Sequence, residues 1–152
     1  IIEETYFACD RLGVYLEGTL LKPSMTCCGA ECPDKVTPKE VARKTIEVMM
    51  KSVPEEVAGI VFLSGGLSEE AASIYLSEMN NVIVDTPWTV SFSYGRALQH
   101  SCLKAWAGGN IPAGQAALIA RAQANSEASR GIYVPNSQPS SDEKLFVAGY
   151  TY

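Results

Sequence analysis

The sequence predicts an α/β fold with parallel strands. Short runs rich in β-forming residues alternate with longer segments of helical periodicity, and the order is strand, helix, strand, helix, strand, helix, helix, followed by a polar tail. One run, residues 59–63, is apolar throughout, as is typical of a strand buried on both faces of a parallel sheet. A chain of 152 residues is long enough for one domain or for part of a larger one.

The elements follow from local signals. Strands are expected at 14–19, 59–63 and 88–92, and helices at 1–11, 38–53, 69–79, 97–106 and 112–130. The second helix has the clearest start, because Thr37 suits the N-cap, Pro38 the first helical position and Glu40 a capping box. Segment 20–34, with its prolines, is expected to be a loop. Both tryptophans, Trp88 and Trp106, are expected in the core.

The composition and net charge argue against several classes of function. Twelve Lys and Arg residues against seventeen Asp and Glu residues give a net charge of −5, without the basic stripe that nucleic-acid binders usually carry. The apolar runs are too short to cross a bilayer, and no leader is visible, so we expect neither a membrane anchor nor secretion. Five cysteines without paired spacing fit free thiols in a reducing compartment better than a zinc site or disulfides.

Chemistry is expected beyond the carboxyl ends of the strands, where parallel α/β folds place their sites. Ser64, Gly65 and Gly66 precede a helix, whose free backbone N–H groups favour an anion. Gly95 and Arg96 repeat this arrangement after the next strand, and a guanidinium suits phosphate. An ordinary tight turn and a solvated arginine are the respective alternatives.

Lys22 is the candidate nucleophile, since it follows the first predicted strand among apolar neighbours. Such surroundings disfavour the charged form of an amine, which then attacks a carbonyl carbon. A surface lysine or a phosphate partner is the alternative, and spacing alone favours it. The only histidine, His100, is expected at the surface or in packing, so a Ser–His–acid triad has little support.

Several segments together resemble class I fructose-bisphosphate aldolases. They are residues 16–23, 62–70, 91–99 and 124–128, together with the final Tyr152. The resemblance runs in order along the chain from about Val14 onward. This sequence differs from the family at Ser24, where asparagine is common, and in the loop that carries Cys27, Cys28 and Cys32.

The resemblance implies a fold and a reaction. The fold is a (β/α)₈ TIM barrel, of which this chain would supply the last three βα units and a C-terminal helix within residues 1–131, and a flexible tail over 132–152. The reaction is the glycolytic cleavage of fructose 1,6-bisphosphate to dihydroxyacetone phosphate and glyceraldehyde 3-phosphate. A barrel needs about 250 residues, and the remaining acid–base residues would lie on earlier strands, outside this chain.

The resemblance also implies roles for particular residues. Lys22 would form a Schiff base with the C2 ketone, and Tyr152 would assist proton transfer at the enamine carbon. The C1 phosphate would be held by Ser64, Gly65, Gly66, Gly95 and Arg96. No metal or other cofactor would be needed, and the expected state is a cytoplasmic homotetramer, with actin as a contact known for the family.

Two other interpretations stay open. The first is a non-catalytic fragment or interaction protein, such as an actin-binding scaffold, derived from the aldolase fold. The second is a doubly wound phosphate-binding module such as a sugar-phosphate isomerase. The isomerase interpretation predicts that Lys22→Met leaves activity nearly intact, whereas the amine mechanism predicts near-total loss.

Overall fold

The sheet has three parallel strands paired in the order of the chain. The computed structural model describes residues 1–29, 31–33, 36–82 and 85–147. Within these ranges the strands are β1 (Leu20–Leu21), β2 (Gly59–Phe62) and β3 (Thr89–Phe92), in the order β1–β2–β3. Leu20 pairs with Gly59, and Gly59 pairs with Thr89. The prediction of an α/β fold with parallel strands is confirmed.

Helices separate the strands and follow them. The described residues form α1 (Ile2–Arg11), α2 (Pro38–Ser52), α3 (Glu69–Val82), α4 (Arg96–Trp106) and α5 (Ile111–Ala128). Helix α2 connects β1 to β2, and α3 connects β2 to β3, so each parallel pair is joined by a helical crossover. Helices α4 and α5 come after the last strand, as the sequence predicts.

The core lies between one face of the sheet and the helices. Ile60 and Phe62 of β2 are fully buried, and they belong to one apolar cluster with side chains of α2 and α3 such as Met49 and Leu76. The opposite face is less covered by helices, as the 63% exposure of Leu20 in β1 shows. Strand residues alternate between these two faces, so the sheet has one packed face and one open face.

The start of α2 agrees with its sequence signal. The Thr37 hydroxyl accepts a hydrogen bond from the Glu40 N–H at 3.3 Å, and the Glu40 carboxylate accepts one from the Thr37 N–H at 2.9 Å. Pro38 is the first helical residue. The hydrogen bond between the Thr37 and Glu40 side chains lowers the pKa of the Glu40 carboxyl group, so this capping box keeps its charged form.

The strand predicted at 14–19 is wrong. Residues Leu16–Gly18 form a 3₁₀ turn, and the first strand is Leu20–Leu21, inside the segment predicted to be a loop. Thr19 closes the turn, since its hydroxyl donates to the Leu16 carbonyl at 2.7 Å. A run of strand-forming residues does not reveal where a pairing partner lies, and the pairing with Gly59 begins only at Leu20.

The predicted burial of the tryptophans is half correct. Trp88 is buried, and its indole N–H donates to the Pro54 carbonyl at 2.7 Å. Trp106 is 44% exposed, so its assignment to the core is wrong. It lies in the last turn of α4, just before Ala107 takes a left-handed conformation and ends the helix. Helical spacing predicts which face of a helix is buried, but it does not predict how far along the helix neighbouring elements bury that face.

The described part of the tail packs against the helices. Tyr133 and Leu145 are buried, and the Leu145 N–H donates to the Gly66 carbonyl at 3.1 Å. Residues 148–152 lie outside the described residues. The predicted boundary at residue 131 between the aldolase domain and a flexible tail over 132–152 stays a prediction. Within 132–147, the contacts of Tyr133 and Leu145 show that these residues pack against the rest of the chain.

We predict that Thr37→Ala destabilises the protein by about 1 kcal/mol, because the N-cap acceptor of α2 is lost. The midpoint of urea unfolding measures this change. Thr5→Ala is the matched control, since the Thr5 hydroxyl donates only to Ile1 within exposed α1. Equal midpoints for the two variants would show that the capping box contributes nothing measurable.

Candidate functional site

The carboxyl ends of all three strands meet at one edge of the sheet. Backbone pairing continues past the strand ends, because the Leu63 N–H donates to the Pro23 carbonyl at 3.0 Å and the Ser93 N–H donates to the Phe62 carbonyl at 2.9 Å. The segments that follow β1, β2 and β3 therefore run side by side. These are the three segments in which the sequence predicts chemistry.

Lys22 lies on the open face of the sheet. It directly follows Leu21, which packs against the apolar core, and side chains of a strand point alternately to opposite faces. The register Leu21–Ile60, continued by one residue, brings Lys22 beside Val61, whose own partner is Ser91. Lys22 is exposed. Its amine is therefore open to a ligand on the face that α2 and α3 leave uncovered.

The turn after β2 leads directly into α3. Gly65 has a φ of +56°, a conformation that favours glycine. The Ser64 carbonyl accepts from the Leu67 N–H at 3.0 Å, and the Ser68 hydroxyl accepts from the Ala71 N–H at 3.1 Å. Ser68 therefore caps α3, and the glycines precede the positive end of the helix.

The turn after β3 lies against the turn after β2. Gly95 is the N-cap of α4, and the Ala97 N–H lies 3.5 Å from the Ser64 hydroxyl oxygen. The first amides of a helix have no partner within that helix. The Arg96 guanidinium is half-buried at this start and donates to the Leu145 carbonyl. Amides and one fixed cation thus converge on the same edge as Lys22, an arrangement that can bind phosphate.

The tail covers the turn after β2. A Cβ atom at Gly66 would lie 2.8 Å from both the Cα and the Cβ of Phe146, closer than real contacts allow. Glycine is required at this position because the tail backbone passes directly over it. Together with the bond from Leu145 to Gly66, this contact brings the tail to the edge where the strands end.

A cleft of about 670 Å³ opens beside the turn after β2. One wall is formed by Ser64, Gly65 and Gly66, and the other belongs to the loop that follows Lys22. Three thiols of that loop, Cys27, Cys28 and Cys32, line the cleft, and burial raises the pKa of Cys27. All five cysteines are free thiols. The cleft has space for a small ligand next to the glycine turn.

Sequence reasoning missed the two carboxylates at the start of α3. Glu69 and Glu70 stand in the first turn of α3, where acidic residues favour the helix dipole even when exposed, but Glu69 is 0% exposed and Glu70 is 5% exposed. A signal for Glu69 was present, because Ala72 and Leu76 follow it at helical spacing on the buried face of α3.

Six of the seven predicted site residues lie at the same edge. They are Lys22, Ser64, Gly65, Gly66, Gly95 and Arg96, and their convergence is a feature of the strand pairing. Tyr152 lies outside the described residues. His100 contacts the tail, with its Nε2 atom 3.1 Å from the Glu143 carboxylate. The roles of these side chains stay predictions.

Comparison with known proteins identifies the family. The family described as "Fructose-bisphosphate aldolase class-I" matches residues 1–152. The chain belongs to this family. The fructose-bisphosphate aldolase of Drosophila melanogaster is 48% identical over 154 residues, which cover 100% of this chain and 42% of that relative. The cytoplasmic isozyme of Cicer arietinum is also 48% identical, over 156 residues that cover 100% of this chain and 43% of the relative.

A solved aldolase structure has the same fold. The fructose-bisphosphate aldolase from Plasmodium falciparum, in complex with TRAP and a small-molecule inhibitor, matches with a TM-score of 0.86 at 42% identity. The match covers 89% of this chain and 39% of that one. The three-stranded sheet is therefore part of the aldolase barrel, and the (β/α)₈ prediction is confirmed.

The aldolase match also corrects one expectation and shows how much of an aldolase this chain spans. It begins at residue 1, so the expectation that the likeness starts near Val14 is wrong. The chain spans less than half the length of the aldolases it matches. Within the described ranges, no helix is both long and apolar enough to cross a membrane, and no three His, Cys, Asp or Glu side chains are grouped so as to hold a metal ion.

We predict that Gly66→Ala displaces the tail from the turn, because the added Cβ would clash with the Phe146 backbone. Hydrogen exchange at Leu145 should become roughly fivefold faster, the factor for a hydrogen bond of about 1 kcal/mol. Mass spectrometry of a peptide that contains Leu145 measures the rate. Gly95→Ala is the control, since a Cβ there meets no atom within 4 Å; equal rates in the two variants would contradict the steric argument.

Proposed function

We propose that this chain is the C-terminal part of a class I aldolase that cleaves fructose 1,6-bisphosphate into dihydroxyacetone phosphate and glyceraldehyde 3-phosphate in glycolysis. The observation that supports it most is the convergence of Lys22 and two anion-binding turns at one edge of a parallel sheet. Membership of the family over the whole chain points to the same activity.

In this proposal Lys22 is the covalent catalyst. Its neutral amine attacks the C2 ketone of the sugar, water leaves, and an iminium ion forms. The iminium withdraws electrons, so the C3–C4 bond breaks and leaves an enamine on Lys22 while the aldehyde departs. Protonation of the enamine and hydrolysis release dihydroxyacetone phosphate and restore the amine. The Schiff base supplies the electron sink, so the proposal needs no metal or other cofactor.

The phosphate next to C2 is proposed to bind at the two turns. Ser64, Gly65 and Gly66 form the turn that leads into α3, and Gly95 and Arg96 form the start of α4. Backbone amides at a helix start and a guanidinium both favour a dianion. Because these groups are fixed to the same sheet as Lys22, phosphate binding would place the ketone at a constant position relative to the amine.

Tyr152 is proposed to assist proton transfer at the enamine carbon. The tail already passes over the site, since Leu145 and Phe146 contact Gly66. A group carried on such a segment can enter for one step and leave for the others. The further acid–base residues would come from the barrel strands outside this chain.

The state of the whole protein is a proposal from the family. We expect a cytoplasmic homotetramer, and the name of the Cicer arietinum relative, a cytoplasmic isozyme, supports the location. Binding of a protein partner is also proposed, and the structure of the Plasmodium falciparum aldolase in complex with TRAP supports it. Binding to actin by this chain rests on the family resemblance alone.

We predict that borohydride reduction in the presence of dihydroxyacetone phosphate traps a covalent adduct on Lys22 of the complete enzyme, because the reductant fixes the iminium. Peptide mass spectrometry identifies the modified residue. Lys22→Met should lower kcat by roughly 10⁴-fold or more, and Lys51→Met, which changes an exposed lysine of α2, should not. Turnover with an unmodified Lys22 would reject the mechanism.

We predict that Arg96→Ala raises KM for fructose 1,6-bisphosphate roughly 10- to 100-fold, since a hydrogen bond to a charged group contributes about 1.5–3 kcal/mol. Steady-state kinetics and inhibition by inorganic phosphate measure the effect. Arg130→Ala provides the comparison, because that arginine is exposed and bonds to the Ser126 carbonyl of α5. A KM for Arg96→Ala that matches the control would remove Arg96 from the phosphate site.

A further inference from the structure

Glu69, the first residue of α3, is fully buried although it carries a carboxylate. Charged side chains are rarely buried unless they are paired and hydrogen-bonded. The Glu69 carboxylate accepts from the backbone N–H of Ser101 at 2.9 Å, from the hydroxyl of Ser101, and from the backbone N–H of Ser141 at 2.9 Å. Both Ser101 donors belong to α4. Glu69 therefore links the start of α3 to the helix that follows the second anion-binding turn.

Two contacts join the segments that lead away from the proposed phosphate site. At the site itself, the Ala97 N–H lies 3.5 Å from the Ser64 hydroxyl oxygen, which is longer than an ordinary N–H···O hydrogen bond. One helical turn further along α4, Ser101 donates both of its bonds to Glu69. Residues four positions apart lie on the same face of a helix, so Ala97 and Ser101 meet α3 from one face of α4. The contact with Glu69 is the tighter of the two, so it fixes the spacing.

Helix α5 holds the backbone of Glu69 in place. Arg121 is 0% exposed and donates to the Glu69 carbonyl at 2.9 Å and to the Ser73 hydroxyl, one turn later in α3, at 2.6 Å. The Ser73 hydroxyl donates to the side-chain oxygen of Asn125, also in α5, at 2.7 Å. The first turn of α3 is therefore fixed against α5 through its backbone, while the Glu69 side chain extends the connection to α4.

We propose that Glu69 is a positioning residue for phosphate binding, because its bonds to Ser101 set the distance between the turn that leads into α3 and the start of α4. The inference rests on the proposed function, in which Gly65, Gly66 and Arg96 hold one phosphate, and it adds the side chain that keeps the two halves of that site at a constant separation. A ligand that must contact both halves binds more tightly when they are already in place. Glu69 acts through α4 and is not proposed to contact the substrate.

The carboxylate serves two backbone donors at once. One Glu69 oxygen accepts from the Ser101 N–H and the other accepts from the Ser141 N–H. A glutamine amide has a single oxygen, and its NH₂ group cannot accept, so Glu69→Gln would set that NH₂ group against one of the two N–H groups. An unsatisfied buried donor destabilises the whole protein. Removal of the Ser101 hydroxyl is therefore the cleaner test of positioning.

The experiment compares two serine-to-alanine variants of the complete enzyme. Ser101→Ala removes the hydroxyl that bonds to Glu69 from α4. Ser140→Ala is the matched control, because it removes a hydroxyl that bonds to the neighbouring carboxylate, Glu70, from the tail at 2.9 Å. Each variant loses one hydrogen bond to a buried carboxylate, but only Ser101 joins the two anion-binding turns. Four quantities are measured: the midpoint of urea unfolding, the dissociation constant of inorganic phosphate by ³¹P NMR, and KM and kcat for fructose 1,6-bisphosphate.

We expect Ser101→Ala to raise both the dissociation constant of inorganic phosphate and KM roughly fivefold, with kcat changed by less than about twofold. The effect is partial because the Ser101 N–H still binds Glu69, and because the Tyr94 hydroxyl donates to the Ala72 carbonyl between the same two segments at 3.0 Å. Ser140→Ala should lower the unfolding midpoint by a similar amount and leave the phosphate constant and KM at their wild-type values.

Two outcomes would overturn the positioning role. The first is wild-type phosphate binding in Ser101→Ala, and the second is an equal rise of the dissociation constant in both variants, which would indicate a general loosening of the buried network. Failure of the proposed function would look different. An enzyme that binds phosphate with the expected difference between the variants, but is not trapped on Lys22 by borohydride, would reject the aldolase mechanism and leave the role of Glu69 intact.

Discussion

Parallel backbone pairing between β1, β2 and β3 is the constraint on which the site depends. The register is continuous across the sheet and extends past the strand ends, where Pro23, Phe62, Leu63 and Ser93 still exchange hydrogen bonds. Three loops distant in sequence therefore leave the sheet at one edge. Side-chain alternation then decides that Lys22 faces the open side rather than the core. A shift of one residue in β1 would turn the Lys22 side chain toward the packed face of the sheet.

The start of α3 connects the edge of the sheet to the tail. The turn after β2 passes into α3 within a few residues, and the first two residues of that helix bind the tail. The tail then returns over the turn, with Leu145 bonded to Gly66. The turn after β2 and the described part of the tail are therefore held together around one helix start.

Local signals in the sequence predicted local structure well. Thr37, Pro38 and Glu40 form the predicted helix start because all partners of a capping box lie within four residues. The segment 14–19 was misjudged because strand formation depends on a distant partner. The burial of Glu69 was missed for the same reason, since its partners lie 32 and 72 residues away. The common edge of the site residues was predictable, because it follows from the alternation of strands and helices alone.

The most direct measurement is a crystal structure of the complete enzyme soaked with dihydroxyacetone phosphate and flash-cooled during turnover. The geometry predicts continuous electron density from the Lys22 Nζ atom to C2 of the triose, with the phosphate between the Gly65–Gly66 turn and Arg96. Triose bound with its phosphate at any other edge of the sheet, or an occupied site with no bond to Lys22, would contradict the claim that the parallel strand ends assemble one catalytic centre.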